Sequence, residues 1–474
     1  MAVSPARAAA FEILLRIERE KSYAAELLHS ARLAKLSSRD HGLATELAMG
    51  VLRWQSLLDR QLAAASSQEL ERLDFEVLTA LRLGVYQLQF LSRVPARAAI
   101  FESVELVKAA HKRSAARFVN AVLRKIARAG AEDIFSKIGE SSDSMTLAQN
   151  AAHPEWLVDR WIERYGLEAT RQICMQDQTV RGAAIRIYDE ESRIDQVNQD
   201  QVKQISQTEA ELAAAGVQLL PGRLLSAARR VLSGDVTGTR AYQEGRISIQ
   251  DEASQLVALL LGRGESAGCT ILDCCAAPGS KTALLAWRNP RAKVFATELH
   301  PRRARLLQKL NRLPNVRVVA ADARHLPFSP SCTFDRILAD VPCSGTGTLA
   351  RNPEIKWRLK VEDLHDLQSR QVAILKFALR QLRIGGRLVY STCSLEPEEN
   401  EAVVKAVLEG APEFGVVDLK RELEQLRESG ELCRQEIASL LTGPYLKTVP
   451  GVHPCEGFFA AKIERKSRNG RQLE

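Results

Sequence analysis

Thr270-Ile271-Leu272-Asp273-Cys274-Cys275-Ala276-Ala277-Pro278-Gly279-Ser280-Lys281-Thr282 reads as a short apolar strand, a tight turn and the start of a helix. Four further runs repeat the strand: Lys293-Val294-Phe295-Ala296, Val316-Arg317-Val318-Val319, Arg336-Ile337-Leu338-Ala339 and Arg387-Leu388-Val389-Tyr390. Helical stretches separate them, and that alternation predicts a parallel α/β sheet from about residue 250 onward. Ligands of such sheets bind beyond the carboxyl ends of the strands, where strand order reverses. Asp273, Glu298, Asp322, Asp340, Cys343 and Cys393 all fall at or just after these ends, so the chemistry is expected along one edge. Tyr445 to Val449 and Gly457 to Ile463 flank Pro450-Gly451 and predict an antiparallel hairpin closing the sheet.

The turn after Asp273 narrows the ligand. Gly279 permits close backbone approach, Pro278 fixes local geometry, and a helix starting near Lys281 leaves free amides at its first turn. A phosphate-binding loop is disfavoured, because G-x-x-x-x-G-K-[ST] requires glycine where Cys274 stands. Glu298 suits a ribose diol, Asp322 an adenine amino group, and Asp340 an ammonium or nucleobase. Singly each is also the residue of an ordinary cap or exposed loop. As a series they fit an adenosine cofactor without phosphates.

Nine cysteines without regular spacing argue against a disulfide framework and for free thiols in a reducing compartment. There is no C-x-x-C pair, and Cys274-Cys275 alone cannot make a tetrahedral zinc site, so no metal is expected. Cys174, Cys269, Cys332, Cys433 and Cys455 read as packing residues. Cys343 and Cys393 differ. Each follows an apolar run within loop-forming residues, Asp340-Val341-Pro342-Cys343-Ser344-Gly345 and Ser391-Thr392-Cys393-Ser394, which puts two thiols at one pocket. A thiol must ionise to attack, and Lys281 is a candidate cation to favour its thiolate.

Residues 4 to 129 read almost throughout as helices: Ala6 to Glu20, Tyr23 to Leu33, Arg39 to Ala65, Asp74 to Leu91, Ala96 to His111 and Ser114 to Ala129. From Gly130 to about Ala151 the chain turns polar and is expected to be a linker. A short mixed region with a strand at Ala183 to Tyr188 follows. The net charge of +8 is concentrated at the front, where residues 1 to 130 hold 20 Lys or Arg against 13 Asp or Glu. Arg113, Arg117, Arg124 and Arg128 recur at spacings of four and seven opposite an apolar stripe of Ala115, Val119, Val122 and Ile126. Such a face can track a phosphate backbone, or it can simply be solvated. The chain lacks an apolar run long enough to span a bilayer and a signal-peptide pattern, so a cytoplasmic location is expected.

These motifs, in this order, resemble the RNA cytosine-5 methyltransferases that use S-adenosylmethionine, particularly the bacterial small-subunit ribosomal RNA group. Asp273 to Thr282 is similar to that family's cofactor loop, Asp340 to Gly347 to its proline-cysteine motif, and Ser391 to Ser394 to its threonine-cysteine motif. His153 to Trp156, Gln250 to Ser254, Asn352-Pro353-Glu354-Ile355-Lys356-Trp357 and Gly457-Phe458-Phe459 resemble other family segments. Arg39-Asp40 and Gly50-Val51-Leu52-Arg53 resemble the NusB-type RNA-binding fold. Ser280 and Glu298 stand where the family commonly has glycine and aspartate.

The resemblance implies an all-α NusB-like domain over 1–135, a small mixed α/β region over 150–248, and a Rossmann-like methyltransferase domain over 249–466. It further implies that Cys393 attacks cytosine C6 of 16S ribosomal RNA, Cys343 assists product release, and Asp340 and Lys281 complete the catalytic set. S-adenosylmethionine would lie on Cys275, Ala276, Ala277, Pro278, Gly279, Ser280, Lys281, Glu298, Asp322 and Asp340, with RNA on Arg113, Arg117, Arg124 and Arg128. A monomer is expected. The competing readings are transfer RNA or another RNA as substrate, and a noncatalytic RNA-binding assembly factor that retains the fold.

Overall fold

The computed structural model describes the chain except residues 1–2, 21, 29–32, 131–132, 189–206, 265–267, 330, 435 and 467–474. It forms two compact units, Met1–Val180 with Leu349–Arg358, and Arg181–Thr348 with Leu359–Glu474.

The first unit is helical: α1 (Pro5–Glu20), α2 (Ala24–Leu28), α3 (Ser38–Ala65), α4 (Phe75–Phe90), α5 (Ala96–Ala109), α6 (Ala116–Ala129), α7 (Ile134–Glu140), α8 (Ser144–Asn150) and α9 (Glu155–Asp177). In α6 the expected stripe is buried through Val119, Val122, Leu123 and Ile126, whereas Ala115 lies only half-buried before the helix. Each such aliphatic side chain is worth about 1.5–3 kcal/mol when fully withdrawn from water. Arg113 is outside α6, in a 3₁₀ turn over Arg113–Ala115 that breaks the four-and-seven spacing. The helix expected over Tyr23 to Leu33 is shorter, and four of its residues fall outside those described.

The polar stretch after Gly130 is helical rather than a linker. Asp133 and Asp143 accept the backbone N–H groups of Ser136 and Thr146, capping α7 and α8 despite their polar composition. Helix α9 breaks at Gly166, whose φ of 78° is left-handed backbone open to glycine.

Leu349–Arg358, which contains α15 (Ile355–Arg358), packs within this helical unit, although the residues that flank it in sequence belong to the second. Lys356 Nζ donates to Arg53 O at 2.9 Å, Trp357 Nε1 to Leu52 O at 2.6 Å, and Arg53 donates to Ala350 O at 3.1 Å. Glu354 accepts the Ala24 amide at 2.8 Å, and His153 faces Asp177 at 3.3 Å. Three segments singled out by resemblance, around Arg53, His153 and Lys356, are thus parts of one buried polar cluster. Burial pushes the Lys356 amine down to about 7, and burial with the Lys356 charge pushes His153 well below the usual imidazole value.

In the second unit, β1 (Ala184–Ile187), β2 (Gln218–Pro221), β3 (Ala228–Ser233) and β4 (Ile247–Ile249) make an antiparallel sheet of order β2-β3-β1-β4. With α10 (Gln207–Ala214) and α11 (Arg240–Gln243), they enclose a small core of Ile185, Leu212, Val217, Val236 and Ile247. Residues 150–248 therefore contribute α9 to the first unit and this sheet to the second. Helix α12 (Glu252–Leu260) follows. Asp251 caps it through the Ala253 amide, and buried Glu252 gathers the amides of Arg223, Leu224 and Leu225, so this acidic pair organises backbone.

The main sheet contains β5 (Thr270–Asp273), β6 (Lys293–Glu298), β7 (Val316–Ala320), β8 (Phe334–Asp340) and β9 (Leu382–Thr392) in parallel. Helices α13 (Ser280–Arg288), α14 (Pro301–Leu310) and α16 (Val361–Arg380) lie along the chain between these strands. After α17 (Glu401–Leu408), β10 (Phe414–Val417) and α18 (Lys420–Glu428), the strands β11 (Leu441–Thr442), β12 (Tyr445–Thr448) and β13 (Phe458–Arg465) extend the sheet. Its order is β11-β12-β13-β9-β8-β5-β6-β7, with β10 on β13, and β13 runs antiparallel to β9 as the hairpin pattern predicts. Successive residues enter different cores, Ile271, Leu338 and Val389 one, and Leu272, Ile337, Ala339, Leu388 and Tyr390 the other. Both faces are covered, which explains the near-continuous apolar strands. Strand order reverses between β5 and β8, where Asp273 and Asp340 end their strands.

Candidate active site

Helix α13 starts after Gly279, whose φ of 114° and crowding by Asn311 and Leu307 exclude a Cβ. No side chain caps this helix, so its first-turn amides face the loop of Cys275 to Gly279. Buried Asp273 accepts from Thr282 Oγ1 at 2.7 Å, while its Oδ1 has no protein partner. Burial, against that hydrogen bond, pushes Asp273 up to about 7. Cys274 is buried, and burial holds the Cys275 thiol well above its ordinary value, so neither thiol of this pair is poised to attack.

The other strand-end acids occupy the expected edge with distinct surroundings. Glu298 is buried at the end of β6 and accepts the His300 amide at 3.0 Å. Asp322, past β7, pairs with Arg324 at 2.6 Å, which lowers its pKa. Asp340 is a junction: its Oδ2 lies 2.8 Å from Lys281 Nζ and its Oδ1 accepts Ser391 Oγ at 2.6 Å. One carboxylate thereby ties the first turn of α13 to the end of β9. Burial alone would lower the Lys281 pKa, but the charge and hydrogen bond of Asp340 outweigh it and raise it. The ammonium also lies 5.2 Å from the Phe458 ring centroid, a contribution from the Gly457-Phe458-Phe459 segment.

The two cysteines meet. Cys343 Sγ and Cys393 Sγ are 3.2 Å apart, and the Cys393 amide donates to Cys343 Sγ at 3.3 Å. Cys343 is pushed well above the ordinary thiol value, first by its bond with Cys393 and then by burial, so it stays protonated. Of the other cysteines, Cys174, Cys269 and Cys455 are buried, Cys332 is half-buried, and Cys433 is exposed instead of packed.

Sequence reasoning missed the residue that joins the thiol loops. Glu399 is fully buried, accepts the Ser344 amide and Gln371 Nε2, each at 2.8 Å, and also bonds the hydroxyls of Ser344 and Ser394. Ser344 and Ser394 immediately follow the two cysteines, so one carboxylate fixes both. Gln371 also donates to Pro342 O at 3.0 Å, and Asn400 Nδ2 donates to Ser394 O at 2.9 Å. Gly347 and Gly457 pack against each other, with the Gly457 amide donating to Gly347 O at 2.9 Å and no room for a side chain at either. Only the doubled Cys-Ser pattern could have hinted at a shared partner. Arg113, Arg117, Arg124 and Arg128 are all exposed on the helical unit. Among the described residues, no cluster of His, Cys, Asp or Glu could hold a metal ion, and no helix is long and apolar enough to cross a membrane.

A Rossmann-like parallel sheet with an antiparallel closing strand carries acids on successive strand ends and paired thiols after β8 and β9, an arrangement that suits an enzyme with an adenosine cofactor. Comparison with known proteins supplies the group. The family described as 16S rRNA methyltransferase RsmB/F matches residues 260–464, and the NusB family matches residues 4–128. The probable ribosomal RNA small subunit methyltransferase B of Bacillus subtilis is 33% identical over 467 residues, covering 96% of this chain and 98% of its own. The Pseudomonas putida ribosomal RNA small subunit methyltransferase B is 33% identical over 437 residues, covering 91% and 92%. The crystal structure of PH0851, 22% identical, shares the fold with a TM-score of 0.77 over 98% of this chain and 99% of its own. The chain belongs to the RsmB/F family of rRNA methyltransferases, with a NusB domain at its N-terminal end.

Proposed function

We propose that the protein methylates carbon 5 of a cytosine in 16S ribosomal RNA, through a covalent bond between Cys393 and cytosine C6. The observation that carries this reading is the 3.2 Å approach of two thiols held by one buried carboxylate. Packing does not require paired, partly accessible sulfurs beside a Lys–Asp pair, whereas a reaction that adds and later eliminates a nucleophile uses both.

The residues fit S-adenosylmethionine. The uncapped start of α13 suits its carboxylate, Glu298 the ribose hydroxyls, and Asp322 the adenine amine. The loop from Cys275 through Ser280 would hold the rest of the molecule, and Asp273 Oδ1 is a buried acceptor still to be satisfied. When bound, the cofactor supplies the methyl group.

The protein's residues do the rest. The sulfur of Cys393 adds to C6 as a thiolate and pushes electron density onto C5, with the Lys281 ammonium alongside. Asp340 holds Lys281 on one side and Ser391 on the other, placing a charged donor-acceptor pair where charge develops on the base. After C5 is methylated, its proton passes to water, the C5–H electrons form the C5–C6 double bond, and the C6–sulfur bond breaks with its electron pair returning to Cys393. Cys343, kept as a thiol, stands against that sulfur and assists its release. The base must leave its stack to present C5 and C6, which costs a few kcal/mol and favours an unpaired target.

Transfer from labelled S-adenosylmethionine to unmodified 16S rRNA, with analysis of the product nucleoside, tests this. Wild type is expected to yield 5-methylcytosine, Cys393→Ala to lose at least about 10⁴-fold in rate, and Cys343→Ala to accumulate a denaturation-resistant RNA adduct. Full activity in Cys393→Ala would exclude the covalent route. Methylation of transfer RNA alone would change the substrate, and binding without any transfer would support an assembly factor.

A further inference from the structure

The faces of α5 and α6 enclose a groove of about 750 Å³ in the helical unit, distinct from the thiol pocket. Its floor is apolar, from Ile100, Val104 and Ala127, and Phe101 stands in it with 40% of its surface exposed. Arg97, Lys108, Arg124 and Arg128 form the rim. The lone acid in the lining, Glu105, is already paired with Lys108 at 2.7 Å. Arg124 is steadied by Asn120 at 3.2 Å and Arg128 by Arg124 O at 3.3 Å, each through Nε alone, so the terminal nitrogens keep donors for a further acceptor. Arg113 and Arg117 are absent from this lining, which splits the basic stripe into a groove pair and an outlying pair.

We infer that this groove binds an unpaired segment of RNA, with one base stacked on Phe101 and the flanking phosphates on Arg97, Arg124 and Arg128. The inference rests on the reading of the protein as an RNA enzyme and adds where, and in what form, the helical unit grips the strand. An exposed aromatic between cations offers a π-face and counter-charges together, the combination that single strands use. A duplex would bring phosphates but no free base face. An acidic apolar protein segment would meet the same charges and is the alternative that the experiment separates.

The test uses the full chain without cofactor and a fluorescein-labelled single-stranded RNA of roughly 12 nucleotides, alone or annealed to its complement. Phe101→Ala is expected to weaken single-strand binding by about 5- to 150-fold, with the salt dependence unchanged and little effect on the duplex. Phe101→Tyr restores binding, because it restores the ring. Arg124→Ala with Arg128→Ala lowers the salt slope by about 1.4. Isothermal titration with S-adenosylmethionine checks that each variant keeps its second unit intact. Wild-type affinity in Phe101→Ala alongside loss in the arginine pair would leave a diffuse electrostatic surface and overturn the groove. Indifference of RNA binding to all these variants would also overturn it and assign the groove to a protein partner. Because no methyl transfer is read, failure of the cytosine-5 reading leaves this result standing.

Discussion

The basic groove and the thiol pocket use charge in opposite ways. At α5 and α6 the cations lie in water, with local backbone and Asn120 contacts that leave most donors open. At the sheet edge Lys281 is 13% exposed and Asp340 23%, and their charges are committed to each other and to Ser391. Exposed ions retain hydration and bind by long-range attraction that salt screens. Ions withdrawn from water are costly to leave unpaired, so their geometry is dictated by their partners. Exposed cations of this kind suit many sequences of a polyanion, whereas committed, buried ones suit a single ligand held within tight tolerances.

After the effect proposed for Cys393→Ala, the largest effect that would sharpen this contrast is expected at Glu399. Glu399→Ala removes the acceptor shared by the two thiol loops, and displacements on the order of 1 Å cost about 100-fold in rate. The fall should appear in kcat with S-adenosylmethionine affinity retained, and Glu399→Gln should recover part of it. Equal loss of cofactor affinity would make the carboxylate a support of the whole sheet edge instead.

Next in size is a pH effect at Lys356. Its folded value of about 7 lies below the ordinary 10.5, because burial disfavours the ammonium. Between those values the unfolded chain binds more protons, so this residue makes stability climb as pH rises from about 7 to 10.5, and adds no slope below. Thermal unfolding followed across that range should show the climb in wild type and a smaller one in Lys356→Met. Identical slopes would show that the buried amine is no different from its exposed counterparts.

The smallest expected change is at the outlying arginines. Arg113→Ala with Arg117→Ala, outside the groove, should cost only a few-fold by screened attraction. A larger loss from the outlying pair than from Arg124 and Arg128 would break the distinction between groove and surface.

Sequence periodicity carried well where one element met one environment. The strand after Gly268, the helix after Gly279 and the buried stripe of α6 each follow from local spacing, and the strand-end acids follow from the parallel alternation. What escaped reading depends on partners distant in sequence or on a single cap. Polar composition hid α7 and α8, although Asp133 and Asp143 were there to start them. Glu399 looks like any acid in Glu396-Pro397-Glu398-Glu399, and only the meeting of Ser344 and Ser394 makes it a junction. The family segments at Arg53, His153 and Lys356 could be recognised by resemblance, but not placed together.

The helical unit also has an order of assembly written into it. Its buried cluster needs Lys356 and Trp357, yet Arg181–Thr348 emerges from the ribosome before them. At roughly 5–20 residues per second, the N-terminal helices wait on the order of 10 to 30 s for the segment whose Lys356 and Trp357 donate to the carbonyls of Arg53 and Leu52. A truncated chain ending at residue 180 would stay in that waiting state.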